Sequence, residues 1–123
     1  MPTEPRPVTL SMLVRRAAEI CDPDDNDPDV AEFEIQLEDA DEPVTGILES
    51  LDERVELAAR RVDPDGELPQ IVMASAIVKY LARRRDGVSD AAQDVLRLAA
   101  RAEFDGDPPP VVADWLVDNG IAV

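Results

Sequence analysis

The run from residue 68 to residue 85, LPQIVMASAIVKYLARRR, constrains the fold more than any other stretch of the chain. Pro69 suits the first turn of a helix, where a missing N–H removes no hydrogen bond. On a wheel of roughly 100° per residue, Ile71, Met73, Ala74, Ala76, Ile77, Val78, Tyr80 and Leu81 span an arc of about 220°. A helix lying on a protein surface needs an apolar stripe of only about 100°. The run therefore predicts a central buried helix with others around it. Ser75, Lys79 and Arg83 form its one polar edge. It is too short and too interrupted to cross a bilayer, which takes about 20 apolar residues, so no membrane association is expected. Arg83, Arg84 and Arg85 close it, where the helix dipole favours cations.

What surrounds this helix must pack without large rings. Aromatic residues make up 3% of the chain, so the core has to come from Leu, Ile, Val and Ala. A chain of 123 residues is one domain by size. At that length roughly two-thirds of the unfolded surface can be buried. Residues 1–7 hold three prolines and no periodicity, and read as a flexible tail ahead of a single helical domain over 8–123. Thr9 is placed to cap a first helix with Leu10, Leu13, Val14, Ala17, Ile20 and Cys21 on one face.

Residues 30–38 are ambiguous. Glu32 to Glu38 alternate as a strand does, and residues 8–14 alternate weakly enough to be a partner. Against that, Asp27-Pro28 is a helix start, and Val30, Phe33, Leu37 and Ala40 share a helical face. Helix is the preferred reading, with a small strand element near 30–38 as the alternative.

The next amphipathic run is expected to be capped by Asp41 and to carry Val44, Ile47, Leu48, Leu51, Val55, Ala58 and Val62, with Glu56 and Arg60 as an i,i+4 pair. A further helix is expected to start at Ser89 or Asp90 and to bury Ala91, Val95, Leu98, Ala99 and Ala102. A short last one carries Trp115 as its anchor and ends at Asn119-Gly120, with Ile121 folding back on the final turn. No internal repeat and no sustained heptad is evident. The expectation is all-α: a compact single-domain bundle of five to six helices around residues 68–85.

Charge bounds the setting. Acidic residues number 28 against 12 basic, a net −16, and Lys79 is the only lysine. This composition resembles that of proteins from halophilic archaea, where surface carboxylates keep proteins soluble in molar salt. The resemblance implies a salt-adapted, cytoplasmic setting and no particular family. The amino-terminal residues show no secretory pattern.

The chemistry available is limited. There is no histidine, so no Ser-His-Asp or Cys-His arrangement exists, and no GxGxxG or GxxxxGK phosphate loop is present. No enzyme activity and no cofactor is expected. Cys21 stands alone and reads as a small buried hydrophobe. The loop at 22–29 offers Asp22, Asp24, Asn26, Asp27 and Asp29 as weak candidates for a cation. Measured against a calcium loop starting at Asp22, Asp24 and Asn26 fit, but Asp27 stands where glycine is needed and Phe33 where glutamate is needed. A solvated acidic loop is the simpler account.

Residues 69–104 carry the outline of a helix-turn-helix, but Ser89, Asp90 and Asp94 would meet phosphate badly, so nucleic acid is a disfavoured partner. Leu57, Val72 and Leu96 lie off the main faces and would serve a protein partner or a homodimer, or add to the core. These eliminations leave a protein–protein interaction or adapter module as the expected function. The alternatives are an acidic decoy or antitoxin-like protein that mimics nucleic acid or covers a basic partner, and a helix-turn-helix regulator.

Overall fold

A computed structural model describes residues 8–121 as six α-helices: α1 (Leu10–Cys21), α2 (Pro28–Gln36), α3 (Leu48–Val62), α4 (Pro69–Arg83), α5 (Ala92–Phe104) and α6 (Pro110–Asp118). No strand occurs among the described residues. The expected tail over 1–7 lies outside them.

Helix α4 is the centre of the bundle and touches each of the other five helices. Pro69 occupies its first turn, and Ile71, Met73, Ala74, Ala76, Ile77, Val78, Leu81 and Ala82 are buried. Only Tyr80 of the expected apolar arc stays half-buried. Phe33, Leu10, Leu13, Leu51 and Leu116 pack into the same core from α2, α1, α3 and α6.

The strand alternative near 30–38 is replaced by α2. Two local signals decide it. The Asp27 carboxylate accepts from the N–H groups of Asp29 (2.9 Å) and Val30 (3.3 Å), and Pro28 stands in the first turn. The apparent strand partner is also engaged elsewhere. Thr9 forms an isolated bridge with Pro43, the Val44 N–H donates to the Val8 carbonyl, and the Leu10 N–H donates to the Glu42 carbonyl. The alternation is accidental: Val30 and Phe33 are buried while Ile35 is 54% exposed.

That same bridge shifts the start of α3. Pro43 to Gly46 is drawn toward the beginning of α1 and forms a separate 3-10 turn over Val44–Gly46. Asp41 caps nothing there; it accepts from the Ser11 hydroxyl (3.3 Å). Ile47, at φ −129° and ψ 14°, separates the turn from α3.

Helix α5 also differs from its expected frame. Its N-cap is Ala91, with no side-chain cap, and its buried face is Val95, Leu96, Ala99 and Ala100. Ala91 and Ala102 are exposed and Leu98 lies at the margin. Ser89 and Asp90 belong to the connection, where the Asp90 carbonyl accepts from the Arg16 guanidinium (2.8 Å). In α6, Val112 and Leu116 are the fully buried anchors and Trp115 is half-buried beside them. The α6 terminus forms as expected. Gly120 takes φ +82°, its N–H donates to the Val117 carbonyl, and Ile121 donates to the Leu116 carbonyl and is buried.

An internal repeat emerges once the helices are aligned. At an offset of 41 residues, Leu10, Val14, Ala17, Ala18, Asp22, Pro23, Asp24 and Pro28 recur as Leu51, Val55, Ala58, Ala59, Asp63, Pro64, Asp65 and Pro69. Thus α1–loop–α2 and α3–loop–α4 share one scheme. Each first helix ends at an aspartate followed by Pro-Asp, and the next residue, Asp25 or Gly66, takes positive φ (52° and 67°). The second helix of each pair opens on proline. The longest identical word is three residues long, which is why the repeat escapes a reading of the linear sequence.

Candidate functional site

Helices α3 and α5 both lie against α4, and a groove of about 650 Å³ opens between them. Its floor is the polar edge of α4. Lys79 has only 13% of its side chain exposed there. The Lys79 ammonium spans both walls, donating to Glu103 Oε1 on α5 (2.8 Å) and Glu56 Oε1 on α3 (3.1 Å). Burial acts to lower its pKa, but the hydrogen bonds and charges of Glu103 and then Glu56 outweigh that and raise it above 10.5. The expected Glu56–Arg60 pair gives way to this arrangement, because the half-buried ammonium offers Glu56 a better-shielded partner.

One turn along, Arg83 meets Asp52 of α3 through two hydrogen bonds of 3.0 and 3.2 Å, a bidentate pair. Lys79 and Arg83 on α4 therefore face Glu56 and Asp52 on α3 in a short ladder. Arg84 and Arg101 line the same groove. Among the described residues neither forms an ion pair. Tyr80, Leu98, Ala76 and Ala102 supply its apolar surface. On the other side of the Lys79 bridge lies a second cavity of about 370 Å³. There Glu56, Asp63, Asp65 and Glu103 outnumber Arg60 and Lys79, and Val72 lies on the floor. The groove at the α4 carboxyl end is thus cationic and the second cavity acidic.

The residues singled out as weak cation candidates belong to the loop before α2 and to its first turn. Both Asp22 oxygens accept backbone N–H groups, from Asn26 (3.1 Å) and Asp27 (3.0 Å), and Asp27 caps α2. Asp24 and Asn26 are exposed, and Asp29 sits in the first turn of α2, where the dipole favours it. Among the described residues, no three His, Cys, Asp or Glu side chains converge as metal ligands. Cys21 is buried at the end of α1. Its thiol pKa is pushed up by burial first, then by Asp22 and Asp27.

The off-face apolar residues separate. Leu57 is exposed, Val72 lies half-buried in the second cavity, and Leu96 belongs to the core. The groove itself is not foreseen in the sequence. Its one signal is a lone lysine on the polar edge of a helix otherwise surrounded by apolar neighbours. Compared with protein-family models, with curated proteins and with solved structures, the chain matches none.

Proposed function

We propose that the protein is a binding module rather than an enzyme, acting as an adapter by protein–protein contact through the groove over α4. One observation carries this reading. The groove of about 650 Å³ gathers four cations, Lys79, Arg83, Arg84 and Arg101, against two acids, Asp52 and Glu103, in a chain where acids outnumber bases by 28 to 12. It is an open cleft flanked by helices, a form in which helical domains receive a peptide segment. The setting that fits the acidic surface is the cytoplasm of a salt-adapted cell, where mobile ions screen carboxylate repulsion. Against the helix-turn-helix reading weighs the connection from α4 to α5, which is longer than the 3–4-residue turn of such motifs.

The test is site-directed photo-crosslinking in high salt. A photoreactive phenylalanine analogue at Tyr80 should capture one discrete protein from the native lysate, and the same group at the exposed Val117 of α6 should not. Equal capture from both positions, or capture from Val117 alone, defeats the groove as the binding site.

A further inference from the structure

We infer that the segment received by the groove is acidic at one end, with carboxylates meeting Arg84 and Arg101 and apolar side chains lying on Tyr80 and Leu98; this rests on the groove being the partner site. Arg83 and Lys79 are already occupied by Asp52, Glu56 and Glu103. Arg84 and Arg101 are the exposed groove cations that form no ion pair among the described residues. A guanidinium presents a fork that matches a carboxylate in two parallel hydrogen bonds, as the Arg83–Asp52 pair does one residue away.

Length and charge pattern specify the occupant further. From Val72 to Arg84, α4 runs about 18 Å beneath the two cavities at 1.5 Å per helical residue, with the Lys79 bridge between them. That matches an extended stretch of about five or six residues at 3.3 Å each. A nucleic acid carries phosphate along its whole length and would be repelled by Glu56, Asp65 and Glu103 in the second cavity. A peptide can confine its negative charge to one end. The net charge of −16 also opposes a polyanion more than a short acidic segment.

Fluorescence anisotropy on the full chain tests this with labelled hexapeptides. One set carries two glutamates at the amino end and leucine and alanine elsewhere. A second reverses the sequence, because chain direction is open. Matched sets replace glutamate by glutamine or by lysine. A glutamate peptide should bind, and Arg84→Gln and Arg101→Gln should each weaken it by about five- to tenfold. Arg97→Gln, on the same helix as Arg101 and paired with Asp94 outside the cleft, should leave it unchanged. The glutamine peptides should be indifferent to all three substitutions.

Equal binding of glutamate and glutamine peptides overturns the acidic assignment while leaving the groove as partner site. So does failure of every peptide up to millimolar concentration, with the Tyr80 crosslink deciding the groove separately. Preference for the lysine peptides overturns it as well. A labelled oligothymidine that outcompetes the glutamate peptide, with the same dependence on Arg84 and Arg101, overturns it in favour of nucleic acid.

Discussion

Asp22 and Asp63, 41 residues apart, hold their loops in the same way. Each ends a helix and accepts the N–H groups four and five residues ahead through separate carboxylate oxygens. For Asp63 the donors are Glu67 (2.9 Å) and Leu68 (3.0 Å). For Asp22 they are Asn26 (3.1 Å) and Asp27 (3.0 Å). One side chain thus fixes the loop in each half, and the next helix starts where that chelation ends. The two sites differ in burial, since Asp63 is 7% exposed and Asp22 more open.

Loss of the buried aspartate should therefore cost more. Asp63→Ala leaves two backbone donors without a protein partner and should destabilise by about 2 kcal/mol. Asp22→Ala, where water can replace the lost acceptor, should cost about 1 kcal/mol. Asp63→Asn keeps one acceptor and should fall between wild type and Asp63→Ala. Urea unfolding at fixed KCl reads all three. Equal losses at both positions would contradict the burial argument.

Lys79 separates charge from packing. Lys79→Met keeps an apolar stem over α4 and removes both ion pairs. Glu56 and Glu103 stay hydrated, at 49% and 31% side-chain exposure, so the loss should be about 1 kcal/mol or less. Lys79→Ala also removes the buried stem and should cost more. The pH sign follows from the raised pKa. The lysine's contribution is complete below 10.5 and is lost as pH climbs through the higher folded value. On a Cys21→Ala background, thermal melts across that window should show this loss with Lys79 in place and its absence in Lys79→Met.

The cysteine acts in the same direction and earlier. Its thiol is held protonated in the fold above the ordinary 9.0, so the unfolded chain releases its proton first. Stability is unaffected below pH 9.0 and declines above it, by up to about 1.4 kcal/mol per pH unit. Cys21→Ala should remove this decline while introducing a modest constant loss. A thiol reagent should modify the native protein only as fast as it opens. Rapid modification at neutral pH would show that the site at the end of α1 is accessible.

Gly120 tests the last turn. Its φ of +82° is one that side chains rarely adopt, and an added Cβ would come within 3.1 Å of Gln93 Nε2. The Gln93 side chain is exposed and can move, whereas the backbone strain stays. Gly120→Ala should cost about 1–2 kcal/mol, and adding Gln93→Ala should recover almost none of it. Substantial recovery would locate the cost in the contact instead.

These sites are not equally legible in the sequence. Caps with local signatures, Thr9, Asp27-Pro28 and Asn119-Gly120, lie where the sequence places them, because each depends on neighbours within a few residues. The enclosed helix is also readable, since an apolar arc of about 220° has no other solution. The start of α3 is not, because it depends on Pro43 pairing with Thr9, a contact across 34 residues. The buried face of α5 is misread for a related reason. Alanine and leucine occur all round that helix, and only its neighbours determine which of them are covered. The groove has only the lone Lys79 as a sign in the sequence, because it is set by how α3 and α5 are spaced over α4.

The acidic surplus is least balanced over residues 22–42, which hold eleven acidic residues and no basic one. Helix α2 lies within this stretch and buries only Val30 and Phe33 along its length. Weak burial and unrelieved repulsion therefore coincide in one element. By contrast, α4 carries no acidic residue and is buried along most of its length. Salt shortens the screening length from about 10 Å at 0.1 M to about 3 Å at 1 M. Hydrogen exchange should then show protection in α2 rising between about 0.1 M and 3 M KCl, with local opening in α4 much less affected. A uniform rise over all six helices would assign the salt effect to global unfolding. If α2 is indifferent to salt, repulsion among these carboxylates does not limit its stability, and salt adaptation fails as the reason for them.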